Sequence, residues 1–275
     1  MMPGAPLLTV GEGKGRKMTI KEQVSAIGSA FVRGLRRILG NKLYGLYIYG
    51  AAAFPDDVPT GDIDFHVILT DPLTDDERSH LYELHDSLAR DFPPLGVDMD
   101  GYYILLADAW FASPPQSQMW QRATDKSWAL YRQHVRAGRV IVLHGPDPKE
   151  IYPPATWPEI EQALEEELKY VEDHLDQYPH YCILQLCRLI YSHETRKVVV
   201  SKAQASDWAG DAFPKWKRQI ELARKSYARQ ATPEDREFML TEIRAFLEFA
   251  RTQIENARQR GHQQGGAEEA DKPRR

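Results

Sequence analysis

Two aspartates separated by a single residue, Asp62-Ile63-Asp64, open an otherwise apolar run, FHVIL. On an extended strand alternate side chains share a face, so both carboxylates point the same way, roughly 6–7 Å apart at the backbone. Carboxylates at that spacing repel unless a cation or solvent relieves them. They can share one or two Mg²⁺ ions, which take carboxylate oxygens together with substrate phosphates. The pattern alone says little. Asp98-Met99-Asp100 repeats it, and a solvated strand end is the plain alternative.

The surroundings favour chemistry. Upstream, the apolar run LYGLYIYG ends in Gly50 and passes into AAAF. A glycine at such a turn lets backbone approach a phosphate, and N–H groups opening the next turn can bind it. Asp98 and Asp100 share a face on a later strand and supply a third carboxylate. A glycine turn, a carboxylate pair and a third carboxylate suit metal-assisted phosphoryl chemistry on a nucleotide.

Other candidates are weaker. GEGKGR (11–16) lacks a preceding strand and both nucleotide-loop spacings. His66 shares a face with Asp64, but a packed strand histidine is the simpler reading. His174, His180 and His193 lack zinc-site spacing. Ser113, Ser117 and Ser127 stand in no nucleophile-elbow context. The KWKR run at 215–218 reads as a solvated helix face with Trp216 turned inward.

The elements that must position these residues follow from pattern. Residues 1–18 read as a flexible arm. Thr19 and Glu22 form a capping-box pattern before Val24, Ile27, Phe31, Leu35 and Ile38 at helical spacing. Strands are expected at 43–50, 62–69, 97–106 and 139–145. Thr74 and Glu77 cap a helix carrying Leu81, Leu84 and Leu88, and a helix is expected over 115–137 around Trp120, Trp128 and Tyr131. From 158 to 258 nearly everything has helical period, the last helix opening at Thr232-Pro233. The polar tail 261–275 should be disordered. The fold expected is therefore α+β: a mixed sheet with helices over 19–150, then an all-α bundle over 151–260.

These features resemble the nucleotidyltransferase superfamily, whose signature is Gly-Ser, a spacer, Asp-x-Asp and a third carboxylate on a later strand. The matching residues are Gly50-Ala51, Asp62-Ile63-Asp64 and Asp100, with Ala51 and Gly61 where the family places serines. The segment 181–209 resembles the C-terminal helical domain of aminoglycoside (streptomycin/spectinomycin) adenylyltransferases through Leu186, Arg188, Tyr191, Lys202, Asp207 and Trp208. RVIVLHGPDPKEIYPP (139–154) follows the same pattern, and the resemblance spans about residues 25 to 230. It implies Mg²⁺-dependent transfer of AMP from ATP to a hydroxyl of a small polar acceptor. Asp62, Asp64 and Asp100 would hold the metal, and Asp100 would serve as base, with Asp98 in reserve. Gly50 and Ala51 would cradle phosphate, and Arg188 and Lys202 would grip the triphosphate. The missing hydroxyls keep open a nucleotide-binding pseudoenzyme or regulatory module. Ten positions before Arg188, where the drug-modifying enzymes carry an acidic residue, stands Tyr178.

The residues themselves agree with that role. Arg188 interrupts an apolar helical run, where a guanidinium needs a partner. Lys202 follows Ser201 at a helix start, a poor place for a cation against the dipole.

Composition bounds the rest. Lys and Arg total 35 against 40 Asp and Glu, a net charge of −5 over 275 residues. That balance, without a basic aromatic stripe, argues against a nucleic-acid partner. No apolar run nears the roughly 20 residues of a membrane helix. The N-terminus has no signal-like core. Cys182 and Cys187, five apart on a helix, suit neither a disulfide framework nor a zinc site. A cytoplasmic protein with reduced thiols, a monomer or weak dimer, is expected.

Overall fold

The computed structural model describes residues 19–54, 62–120 and 127–270, of which 262–270 are described by backbone alone. The arm of residues 1–18, with its GEGKGR stretch, and Gly61 lie outside the described residues.

Chain order runs through α1 (Ile20–Leu39), β1 (Leu43–Tyr49), β2 (Ile63–Leu69), α2 (Asp75–Asp91), β3 (Met99–Leu105), the short α3 (Leu106–Ala109), α4 (Trp128–Arg136) and β4 (Ile141–His144). It continues through α5 (Trp157–His174), α6 (Pro179–Thr195), α7 (Lys202–Ala212), α8 (Lys217–Tyr227) and α9 (Pro233–Ala270). The architecture is α+β, a mixed four-stranded sheet followed by helices. Strand order is β3-β2-β1-β4, with β2 and β3 parallel and the other pairs antiparallel. Both expected capping boxes form: Glu22 N donates to Thr19 Oγ1 and Glu77 N to Thr74 Oγ1, each at 3.2 Å.

The period of two along the strands decides where chemistry can sit. Leu46, Ile48, Phe65, Val67 and Tyr103 face a core shared with Phe31 and Leu35 of α1 and Leu81 and Leu84 of α2. The opposite face carries Tyr47, Tyr49, Ile68, Tyr102 and Ile104 and packs on Trp128 and Val135 of α4. Asp64 and Asp100 share the parity of that second face. They therefore end up where the sheet meets the helical half rather than under α1 and α2.

Helix α4 joins the two halves. Its Ala129 and Leu130 belong instead to the helical core with Ile183, Leu186 and Ile190 of α6 and Phe246 of α9. The acidic side of α5 is zipped to α9: Glu165 pairs with Arg258 at 3.0 Å and Glu172 with Arg251 at 2.8 Å. Just beyond α5, Asp176 meets Arg244 at 2.8 Å. Exposed pairs of this kind contribute only about 0–1 kcal/mol each, so they set register more than stability.

Two expectations need correction. Among the described residues of the helix expected over 115–137, only Trp128 to Arg136 are helical, and residues 121–126 lie outside the described residues. Upstream, Gln118 N donates to Tyr103 O at 2.7 Å, Met119 is buried, and Trp120 packs against Phe65, His85 and Tyr103. Docking these apolar side chains on β3 outweighs their helical spacing. The tail is not irregular from residue 261 either, since α9 continues to Ala270. Extending an existing helix adds one hydrogen bond per residue fixed and needs no apolar face.

Candidate active site

One cleft, about 370 Å³ in volume, opens between the second face of the sheet and helices α4 to α7. Its lining includes Gly50, Ala51, Asp62, Asp64, Asp100, Arg188 and Lys202. All seven residues singled out in the sequence thus meet in one place. Asp98 does not line it; its carbonyl instead accepts from Ile63 N at 2.8 Å, tying the start of β2 to β3.

The carboxylates are placed by the sheet. In the parallel pairing of β2 and β3, Asp64 stands directly opposite Asp100, and Asp64 also pairs across β1 with Tyr49. Asp62 lies one residue before β2, on the same parity. Its carboxyl is pushed above the ordinary carboxylate range, mainly by desolvation against the cleft wall. The negative charges of Asp100 and Asp98 add to that shift, while the Lys202 ammonium opposes it. A carboxylate raised in this way by its surroundings is one that a cation would relieve. Among the described residues no three acidic or imidazole side chains close into a complete metal cage. A Mg²⁺ ion would fit on two carboxylates with the remaining positions filled by substrate oxygens.

Gly50 ends β1 with φ of +64° and opens a short 3₁₀ turn, Gly50–Ala53, closed by Phe54 N donating to Ala51 O at 3.1 Å. Positive φ is costly for any residue but glycine. Ala51 lines the cleft without the hydroxyl that serine would bring.

The cations come from the helical half. Arg188 sits on α6 between buried Leu186, Cys187, Leu189 and Ile190, half-buried, with Nη1 donating to Gln185 Oε1 at 3.3 Å. Lys202 is the first residue of α7, which Ser201 caps by accepting from Gln204 N at 3.0 Å. The Lys202 ammonium lies 4.5 Å from the Tyr181 ring centroid and 5.3 Å from that of Tyr227. These faces hold an ammonium that its helix dipole disfavours. Leu186, Tyr191 and Trp208 are packing residues; the Tyr191 and Trp208 rings meet edge to face at 5.3 Å. Asp207 pairs with Arg224.

Sequence reasoning missed Tyr170, Tyr181, Gln185 and His134, and it offers Glu167 only as one of an acidic run that reads as a solvated helix face; all five also line the cleft. Glu167 stands in an acidic stretch of α5 whose Glu165 and Glu172 pair with α9. The signal available was helical phase: Glu167 falls between Leu164 and Val171 on the buried stripe of α5.

The histidines and cysteines take the simpler readings. His66 is fully buried among Tyr49, Tyr102, Trp128, Tyr131 and Tyr152, with Nδ1 3.1 Å from Tyr152 Oη. Cys182 and Cys187 are free and buried, and desolvation pushes the Cys182 thiol up to about 12. Trp216 is buried between exposed Lys215 and Lys217. No helix among the described residues is long and apolar enough to cross a membrane.

Residues 151–253 match the family model "Aminoglycoside adenylyltransferase, C-terminal domain". Spectinomycin 9-adenylyltransferase of Enterococcus faecalis is 22% identical over 214 residues, covering 70% of this chain and 83% of the relative. The crystal structure of the Enterococcus spectinomycin adenyltransferase AAD(9) with ATP and spectinomycin superposes with a TM-score of 0.66 at 20% identity. That match covers 82% of this chain and 99% of the other. Residues 151–253 are therefore similar to the C-terminal domain of aminoglycoside adenylyltransferases, and over 82% of its length the chain shares the fold of the AAD(9) structure.

Proposed function

We propose that the protein is a Mg²⁺-dependent nucleotidyltransferase that moves AMP from ATP to a hydroxyl of an aminoglycoside-like acceptor. The observation that carries this reading is a charge arrangement. Three carboxylates at the ends of β2 and β3 face two cations, Arg188 and Lys202, across one cleft. The spectinomycin-modifying relative and the ATP- and spectinomycin-bound neighbour support both the donor and the class of acceptor.

Asp62 and Asp64 would hold the metal, which when bound screens the phosphates and their developing charge. Asp100, opposite Asp64, would accept the proton of the acceptor hydroxyl as its oxygen bonds to the α-phosphorus. The bond from the α-phosphorus to the bridging oxygen breaks, and pyrophosphate leaves against Arg188 and Lys202. In this reading residues 19–150 form the nucleotidyltransferase domain and 151–260 the clamp.

The test is pyrophosphate release with ATP, Mg²⁺ and a panel of aminoglycosides. Release that depends on one acceptor supports transfer. A second reading, a nucleotide-binding module without turnover, is favoured by Ala51, whose methyl cannot donate to phosphate. ATP binding without release on every acceptor would select it.

A further inference from the structure

We propose that Gln185 is a positioning residue that keeps the Arg188 guanidinium available to phosphate by standing between it and Glu167. This rests on the reading of Arg188 as a triphosphate ligand. Gln185 is buried on α6, one turn before Arg188, and both ends of its amide are used. Nε2 donates to Glu167 Oε2 at 2.5 Å, while Oε1 accepts from Arg188 Nη1 at 3.3 Å. The second oxygen of Glu167 accepts from Ser127 Oγ, at the start of α4. The carboxylate is thus held from two sides, by α4 and by α6. The Tyr181 hydroxyl, raised chiefly by burial, is raised further by Glu167 and lowered by Arg188, so both charges lie near the same part of the wall.

A carboxylate and a guanidinium this close to each other in a half-buried wall would gain from pairing directly, because a bidentate contact between two opposite charges is stronger than a bond with one charged partner. Such a pair would spend the guanidinium on Glu167 and compete with a triphosphate. An amide prevents this because it alone offers a donor to the carboxylate and an acceptor to the guanidinium at the same length. Its contact with Arg188 is long and its acceptor is uncharged, so an incoming phosphate, which carries charge, displaces it. Gln185 therefore orients Arg188 without neutralising it.

The experiment measures ATP affinity by calorimetry on the full chain. Gln185→Leu removes both ends of the bridge and should weaken ATP by about tenfold, the equivalent of one charge-assisted hydrogen bond. Adding Glu167→Gln removes the competing carboxylate and should restore affinity to within about twofold of the Glu167→Gln single variant. Unchanged affinity in Gln185→Leu overturns the proposal. So does a loss that Glu167→Gln fails to restore, since that would mark a packing role. If Gln185→Leu does not fold, the isosteric Gln185→Glu replaces it. Its carboxylate should capture Arg188 and weaken ATP whether or not Glu167 is neutralised, and wild-type affinity there would also overturn the proposal. Arg188→Ala is measured alongside. If it leaves ATP affinity unchanged, the phosphate reading of Arg188 fails, which is a different result from failure of the Gln185 bridge.

Discussion

A β-carbon placed on Gly50 would lie 1.7 Å from Oδ2 of Asp64. The turn that ends β1 and the carboxylate on β2 therefore occupy space that only glycine leaves open. The same residue sits at φ of +64°, so a side chain is opposed by backbone strain as well as by contact. Gly50→Ala should cost roughly 1–2 kcal/mol of stability from the backbone. It should also abolish most turnover, because Asp64 must swing out of place. Melting temperature and pyrophosphate release report the two effects separately. Full activity in Gly50→Ala would show that the Asp64 position is not needed.

Asp62 stands at the cleft mouth with its charge disfavoured by its own surroundings. Replacing it with Asn deletes metal-binding charge and relieves repulsion from Asp100, while leaving the core untouched. The expected outcome is a loss of more than about a hundredfold in turnover, with a melting temperature equal to or slightly above wild type. Near wild-type turnover would mean the metal is held elsewhere. Chelation with EDTA should remove activity from the wild type, and added Mg²⁺ should restore it.

Lys202 reaches the cleft from the first turn of α7, held over two tyrosine rings rather than buried in the core. Lys202→Ala should weaken ATP by roughly ten- to a hundredfold, at about 1.4 kcal/mol per decade. Stability without nucleotide should barely move, because a cation at a helix N-terminus contributes nothing favourable to the dipole. Calorimetry together with unliganded melting temperature separates the two. Unchanged ATP affinity would sink the idea of a clamp shared between the halves.

Most of this site was legible because its geometry is that of a strand. Period two puts Asp62 and Asp64 on one face without any knowledge of the tertiary structure, and a glycine closing an apolar strand marks the turn. Arg188 and Lys202 stood out because each violates a local rule, a cation in an apolar stripe and a cation at a helix start. What was not legible depends on which helix face meets which neighbour. Glu165, Glu167 and Glu172 look alike in sequence, yet two pair with arginines of α9 and one turns into the cleft. Gln185 is unremarkable until Glu167 and Arg188 are both placed. Trp120 carries a helical period but docks on β3, since burying a ring against Phe65 and Tyr103 is worth more than local propensity.

The buried imidazoles give the fold a pH limit whose sign is fixed. Desolvation pushes His66 and His134 down to about 3, and for His134 the neighbouring Arg188 adds to the shift. Both are therefore neutral in the folded chain, whereas an unfolded histidine takes a proton near pH 6.5. The stability they contribute is fully present above about pH 6.5 and is lost as pH falls toward about 3. Within that window each imidazole removes about 1.4 kcal/mol per pH unit, so by pH 5 each costs about 2 kcal/mol relative to pH 7. Restricting the measurement to pH 7 to 5 keeps most carboxylates ionised and isolates the histidines. The expected outcome is a denaturation midpoint that falls steeply below pH 6.5. His134→Gln keeps a donor for the Val198 carbonyl, now bound by Nε2 at 2.8 Å, and removes one titrating group. Its stability should start lower but fall less steeply, by one proton's worth of slope. Parallel curves for the variant and the wild type would mean that His134 is already charged in the folded protein, beside Arg188, and that its burial is relieved by water.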